Sequence, residues 1–125
     1  MRLTERVLPP TPVDAAGPGV LVAAAVAHPS LLSLLEKAPS LAPAAEAVLG
    51  RLPDFFPGQQ FTLVVFTDPE TDARHLVFLI FLTGYLVSEG LALMEAFDDW
   101  WTTVPEFATA PLVVDFTVKG TDALA

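Results

Sequence analysis

Apolar residues crowd into two runs, 61–66 (FTLVVF) and 75–82 (HLVFLIFL), with the acidic stretch 67–74 between them. Both runs are rich in aromatic and β-branched side chains, which is the composition of strands. Pro69 fixes φ and lacks an N–H, so it closes the first run. Asp68 and Asp72 carry short carboxylates that bond nearby amides and hold turns. No Asn-Gly pair lies between the runs, so the pattern predicts a hairpin with a wide loop. Neither run alternates apolar with polar, whereas a sheet with one wet face does. Cover is therefore expected on both faces: helices on one, the N-terminal segment or a second chain on the other.

Helical patterns flank the hairpin. Residues 1–19 hold prolines 9, 10, 12 and 18 and read as an irregular lead-in. Alanine-rich 20–27 predicts a short helix. Pro29 suits the first turn of a second helix, 30–37, which places Leu31, Leu32, Leu34 and Leu35 on one side. Ser40 reads as the N-cap of a helix over 41–52, with Leu41, Ala45, Val48, Leu49 and Leu52 as its stripe. After the hairpin, Ser88 reads as the N-cap of 89–103. Leu91, Met94, Phe97, Trp101 and Val104 recur there at three- and four-residue spacing, with Glu95, Asp98 and Asp99 mostly opposite. Pro105 ends that helix. A third strand, 112–118, alternates cleanly: Leu112, Val114, Phe116 and Val118 against Val113, Asp115 and Thr117.

The expected fold is α+β in the order αα-β-β-α-β. Residues 1–125 form one domain. The three strands form an antiparallel sheet of order 2-1-3, with the first central and the helices on one face. The pieces FTLVVFTDPETDARHLVFLIF, EGLALMEAFDDWW and PLVVDFTV resemble a group of small bacterial proteins without assigned function. In those proteins an Asp-Pro-Glu hairpin precedes a helix with an acidic-aromatic end and a last strand containing Asp. The resemblance spans roughly 28–118. It implies the α+β fold and brings no catalytic residue.

Charge narrows the function classes. The net charge is −9, and no Lys or Arg occurs from 75 to 118. Such a field repels phosphate backbones, so nucleic acid is not an expected partner. It attracts a basic protein, and it also serves solubility. The chain has no cysteine, which removes disulfides and thiolate sites and fits a reducing cytoplasm. The apolar stretch 76–87 spans only about 18 Å as a helix, too short for a bilayer core of roughly 30 Å. Residues 19–27 mimic an export signal, but acidic residues and prolines precede them where a basic region belongs. Neither membrane insertion nor export is expected.

The candidate chemistry is thin. Asp68, Glu70 and Asp72 alternate like calcium-loop ligands, yet Ala73 and Leu79 stand where that loop needs Gly and Glu. His28 and His75 are the only imidazoles, and nothing in the spacing brings either to Glu95, Asp98 or Asp99 for a metal site. No nucleophile elbow or phosphate-binding loop occurs. Catalytic, cofactor and metal residues are therefore expected to be none. Helical phase turns Trp101 to the core and leaves Trp100 about 100° away, a candidate contact residue beside carboxylates. The expected interaction surface is Glu95, Asp98, Asp99 and Trp100, with Phe81 on an exposed edge strand that a second copy would cover. The function expected is that of a non-enzymatic interaction protein, self-associating or binding a basic partner. The alternative is a metal- or small-molecule-dependent enzyme or binder using the acidic helix and hairpin.

Overall fold

The structure, a computed structural model, describes residues 3–103 and 110–119, and their side chains apart from those of residues 3–5, 18 and 119. Strands β1 (Leu3–Arg6) and β2 (Thr11–Pro12) come first. Three helices follow, α1 (Pro18–Ala27), α2 (Pro29–Lys37) and α3 (Leu41–Phe55). Then come the hairpin β3 (Gln60–Thr67) and β4 (Arg74–Thr83), α4 (Val87–Trp101) and β5 (Leu112–Lys119). The hairpin loop is held by the Asp68 carboxylate, which accepts the Glu70 N–H at 2.8 Å, and by Asp72 at φ 60°. Asp and Asn tolerate that left-handed backbone best among residues with a side chain.

The sheet order is β1-β3-β4-β5, with β2 pairing further along β3. β3 pairs antiparallel with both β1 and β4, while β5 lies parallel to β4. The expected three-stranded antiparallel sheet of order 2-1-3 is therefore incorrect. Strand direction is the same in both arrangements, because the chain leaves β4, returns through α4 and enters β5 running the same way. The difference is the neighbour. The free side of β3 is taken by the N-terminal segment: Val7 N–H donates to Leu63 O at 2.9 Å, and Val13 N–H to Gln59 O at 2.9 Å. β5 is left to pair with β4, as a strand–helix–strand crossover allows.

The lead-in is thus a strand interrupted by a bulge at Leu8–Pro10, where prolines are tolerated because the strand is an edge. Thr62 is wholly buried, and its hydroxyl donates to the Leu8 carbonyl across that bulge. β4, expected at an edge, is central, and Phe81 on it is only 8% exposed.

One face of the sheet carries the core. Phe61, Leu63, Val65, Leu76, Phe78, Ile80 and Leu82 are buried against Leu31, Leu41, Val48, Leu49, Leu52 and Phe97 from the helices. Phe61 and Phe78 stack across β3 and β4 at 6.3 Å. Each large apolar side chain buried there is worth roughly 1.5–3 kcal/mol. α1 and α2 meet at a bend of 115° around His28, so the short apolar helices wrap this core. No single described helix is long and apolar enough to cross a membrane.

α4 turns the expected Phe97 into the core, with Met94 and Trp101 packed against it, and departs from the expected stripe at Leu91. Gly90 is buried, while Leu91 is 58% exposed. A Cβ at Gly90 would lie 2.5 Å from Phe116 Cε2 and 3.0 Å from Leu82 Cδ1. The missing side chain lets the helix backbone approach the sheet there. The helix begins one residue before Ser88, and the Glu89 carboxylate accepts the Leu86 N–H at 2.8 Å.

Gly90→Ala is expected to destabilise the protein by about 1–3 kcal/mol through overpacking, despite alanine's better helix propensity. Denaturant unfolding of Gly90→Ala checks this, and the penalty should shrink in a Phe116→Leu background. A neutral or stabilising Gly90→Ala would show that the close approach is not tight.

Candidate functional site

Side chains on strands alternate between faces, so register alone defines the second face of the sheet. Val64, Val77 and Val113 stand level across β3, β4 and β5, Phe66 stands beside His75, and Leu79 beside Asp115. None of these residues belongs to the helix-covered core or packs against it. They line a shallow hollow of about 400 Å³. Val77, Leu79, Phe66 and His75 are half-buried by their neighbours, and Val113 is 45% exposed. Among the described residues the helices cover only the first face; on the second, Thr62, Val64 and Phe81 are buried, while Val77 and Leu79 are half-buried. The N-terminal segment lies along the β3 edge, and over this face it contributes the Leu8 backbone at Thr62.

Polar groups on this face are few: Thr62 is buried against the Leu8 carbonyl, and others stand nearer its border. Arg6 stands level with Val64 on the outer strand and is exposed. Asp115, exposed on β5, accepts the N–H of Phe116 at 2.8 Å. The His75 ring lies 6.2 Å from that of Phe66, and its buried Nδ1 has no hydrogen-bond partner.

The acidic helix occupies the opposite side of the molecule. Glu95, Asp98 and Asp99 are exposed on α4, and no ion pair joins them to a cation among the described residues. Asp98 and Asp99 fall in the last turn, at the negative end of the helix dipole, where carboxylates are unfavourable. Trp100 is half-buried, packed 6.3 Å from Phe55, 5.4 Å from Phe97 and 6.1 Å from Trp101. The Arg51 guanidinium lies 5.2 Å from the Trp100 ring and 5.4 Å from that of Phe55, and bonds Asp54 at 3.3 Å. Cation–π contact of this kind fixes the indole from outside. Trp100 is therefore part of an aromatic cluster joining α3 to α4, rather than a side chain standing alone. Trp101 is half-buried and borders a hollow beside Leu112 and Val114. Val104 and Pro105, expected to close the helix, lie outside the described residues.

The structure does not bring the expected contact residues together. Phe81 belongs to the second face of the sheet and is buried, while Glu95, Asp98, Asp99 and Trp100 belong to the helical layer. Among the described residues, no group of three His, Asp or Glu side chains could hold a metal ion. Lys37 and Arg74 border a polar cleft with Thr67 and Asp72, which has the ordinary character of a solvated surface. The residues that sequence reasoning missed are Val113, Asp115 and Arg6, which join the second face through pairings of β5 and β1. The unbroken apolar row of β4 was the signal that such a face exists. No family model, curated protein or solved structure matches the chain.

Replacing Glu95, Asp98 and Asp99 together by Gln, Asn and Asn is expected to change stability by no more than about 0.5 kcal/mol, as at ordinary surface sites. The sign should favour the variant, because two charges leave the wrong end of a helix dipole. Loss of folding in the triple variant, seen by circular dichroism, would instead make these carboxylates structural.

Proposed function

We propose that this protein is a non-enzymatic interaction module whose contact surface is the open face of its sheet. The observation that carries this reading is the apolar row Val77 and Leu79 of β4, flanked by Val113, with no helix among the described residues packed over it. Contiguous apolar surface rimmed by polar groups marks sites of protein contact. Single-chain function would leave this face wet, and a wet face is normally polar. The cysteine-free, acidic composition is compatible with a cytoplasmic setting. A basic protein partner would find its complement on α4, where Glu95, Asp98 and Asp99 project. The apolar face is the stronger candidate because solubility already accounts for the acidic helix.

Val77→Thr and Leu79→Gln, measured at sub-micromolar protein concentration, test the open face. Each is expected to cost less than about 1 kcal/mol, against about 2–5 kcal/mol for truncating a packed core residue such as Leu76. A core-sized loss at Val77 or Leu79 would mean the chain covers this face itself, and the reading would fail. A thermal-shift screen with divalent metals and metabolites tests the alternative of a ligand-dependent enzyme or binder. Stabilisation of about 2.7 kcal/mol at a ligand concentration near 100 times Kd would favour that alternative.

A further inference from the structure

We infer that the open face is occupied by a second copy of this chain, packed back to back around a two-fold axis that runs along the strands between β3 and β4. This rests on the interaction reading proposed above and names the partner.

Charge placement supports the second copy. Such an axis lays the β1 edge of one copy over the β5 edge of the other. Arg6 is level with Val113 through the pairs Arg6–Val64, Val64–Val77 and Val77–Val113. Asp115 lies two residues further along β5, roughly 7 Å at the rise of a strand. Each Arg6 therefore comes within an arginine's span of Asp115 in the other copy, and the symmetry makes the pair twice. Within one copy both side chains are exposed, and among the described residues neither has an ion-pair partner. Between these rims, Val64 of one copy lies over Val77 of the other, apolar on apolar.

The net charge of −9 does not oppose this assembly. The carboxylates of α4 lie on the far side of each sheet. In the pair they stand roughly 30 Å apart, at about 10 Å per packed layer, several times the Debye length at physiological salt. Pairing through the β5 edge is less suitable, because Asp115 already occupies the Phe116 N–H there.

The area is that of a small interface. Strands β1, β3, β4 and β5, of 4, 8, 10 and 8 residues, cover roughly 500 Å² per copy. A standard interface buries about 800 Å² per partner. An interface below the standard size fits a weak dimer that dissociates on dilution.

Sedimentation of the full chain between roughly 5 and 500 µM reads this directly. A monomer–dimer equilibrium is expected across that range. Arg6→Glu and Asp115→Arg should each raise the dissociation constant at least about tenfold, since like charges then face each other. The double variant should return it to within about threefold of the original. Far-UV circular dichroism confirms that the variants fold. Should Asp115→Arg fail to fold, Arg6→Gln carries the test: the salt dependence of dimerisation should shrink with the pair removed. A chain that stays monomeric overturns the second copy while leaving the open-face reading to its own stability test. A dimer weakened by neither reversal, one not restored by the double variant, or an unchanged salt dependence in Arg6→Gln also overturns it.

Discussion

β4 is hydrogen-bonded on both sides, and the rest of the molecule follows from that. It pairs with β3 from Arg74 to Phe81 and with β5 from Leu76 to Thr83. A central strand that runs with one neighbour and against the other needs a long return on one side and a short loop on the other. The acidic loop after β3 provides the short link, and α4 provides the long one. Because α4 returns over the face that α1, α2 and α3 also cover, the helices share one side. Among the described residues no helix covers the other side.

Much of this was legible in residues. The two apolar runs announced strands by composition, and β5 announced its wetter face by strict alternation. The leucine and alanine stripes placed α2 and α3, although α3 runs through Pro53 to Phe55. The sheet order was not legible, because apolar pattern encodes which face is dry but not which strand stands alongside. The prolines at 9, 10 and 12 hid an edge strand, since an edge needs only half its N–H groups. Leu91 looked like a core position by spacing. In that turn the buried position is instead Gly90, the residue with nothing to bury, and a hydrophobic count cannot register that.

The candidate site was legible in the same partial way. The lack of alternation in β4 stated that a second face needed cover. It could not state that Val113 and Asp115 would complete that face, because their place depends on β5 choosing β4. Nor could it place Arg6 at the opposite rim. Phe81 was read as exposed because β4 was read as an edge. Once β5 stands beside it, the same side chain is closed in from both flanks. Trp100 was read by angle alone, and the angle does not reveal Arg51 and Phe55 arriving from α3.

Asp115 has a further consequence. β5 ends the sheet, and the exposed backbone of a terminal strand is a template on which another strand can add, then another. The carboxylate of Asp115 sits on the Phe116 N–H at the middle of that template. An incoming strand would meet a negative charge where it needs a free donor. One side chain thus places charge, and an already occupied N–H, at the border of a sheet whose strands are the most apolar sequence in the protein.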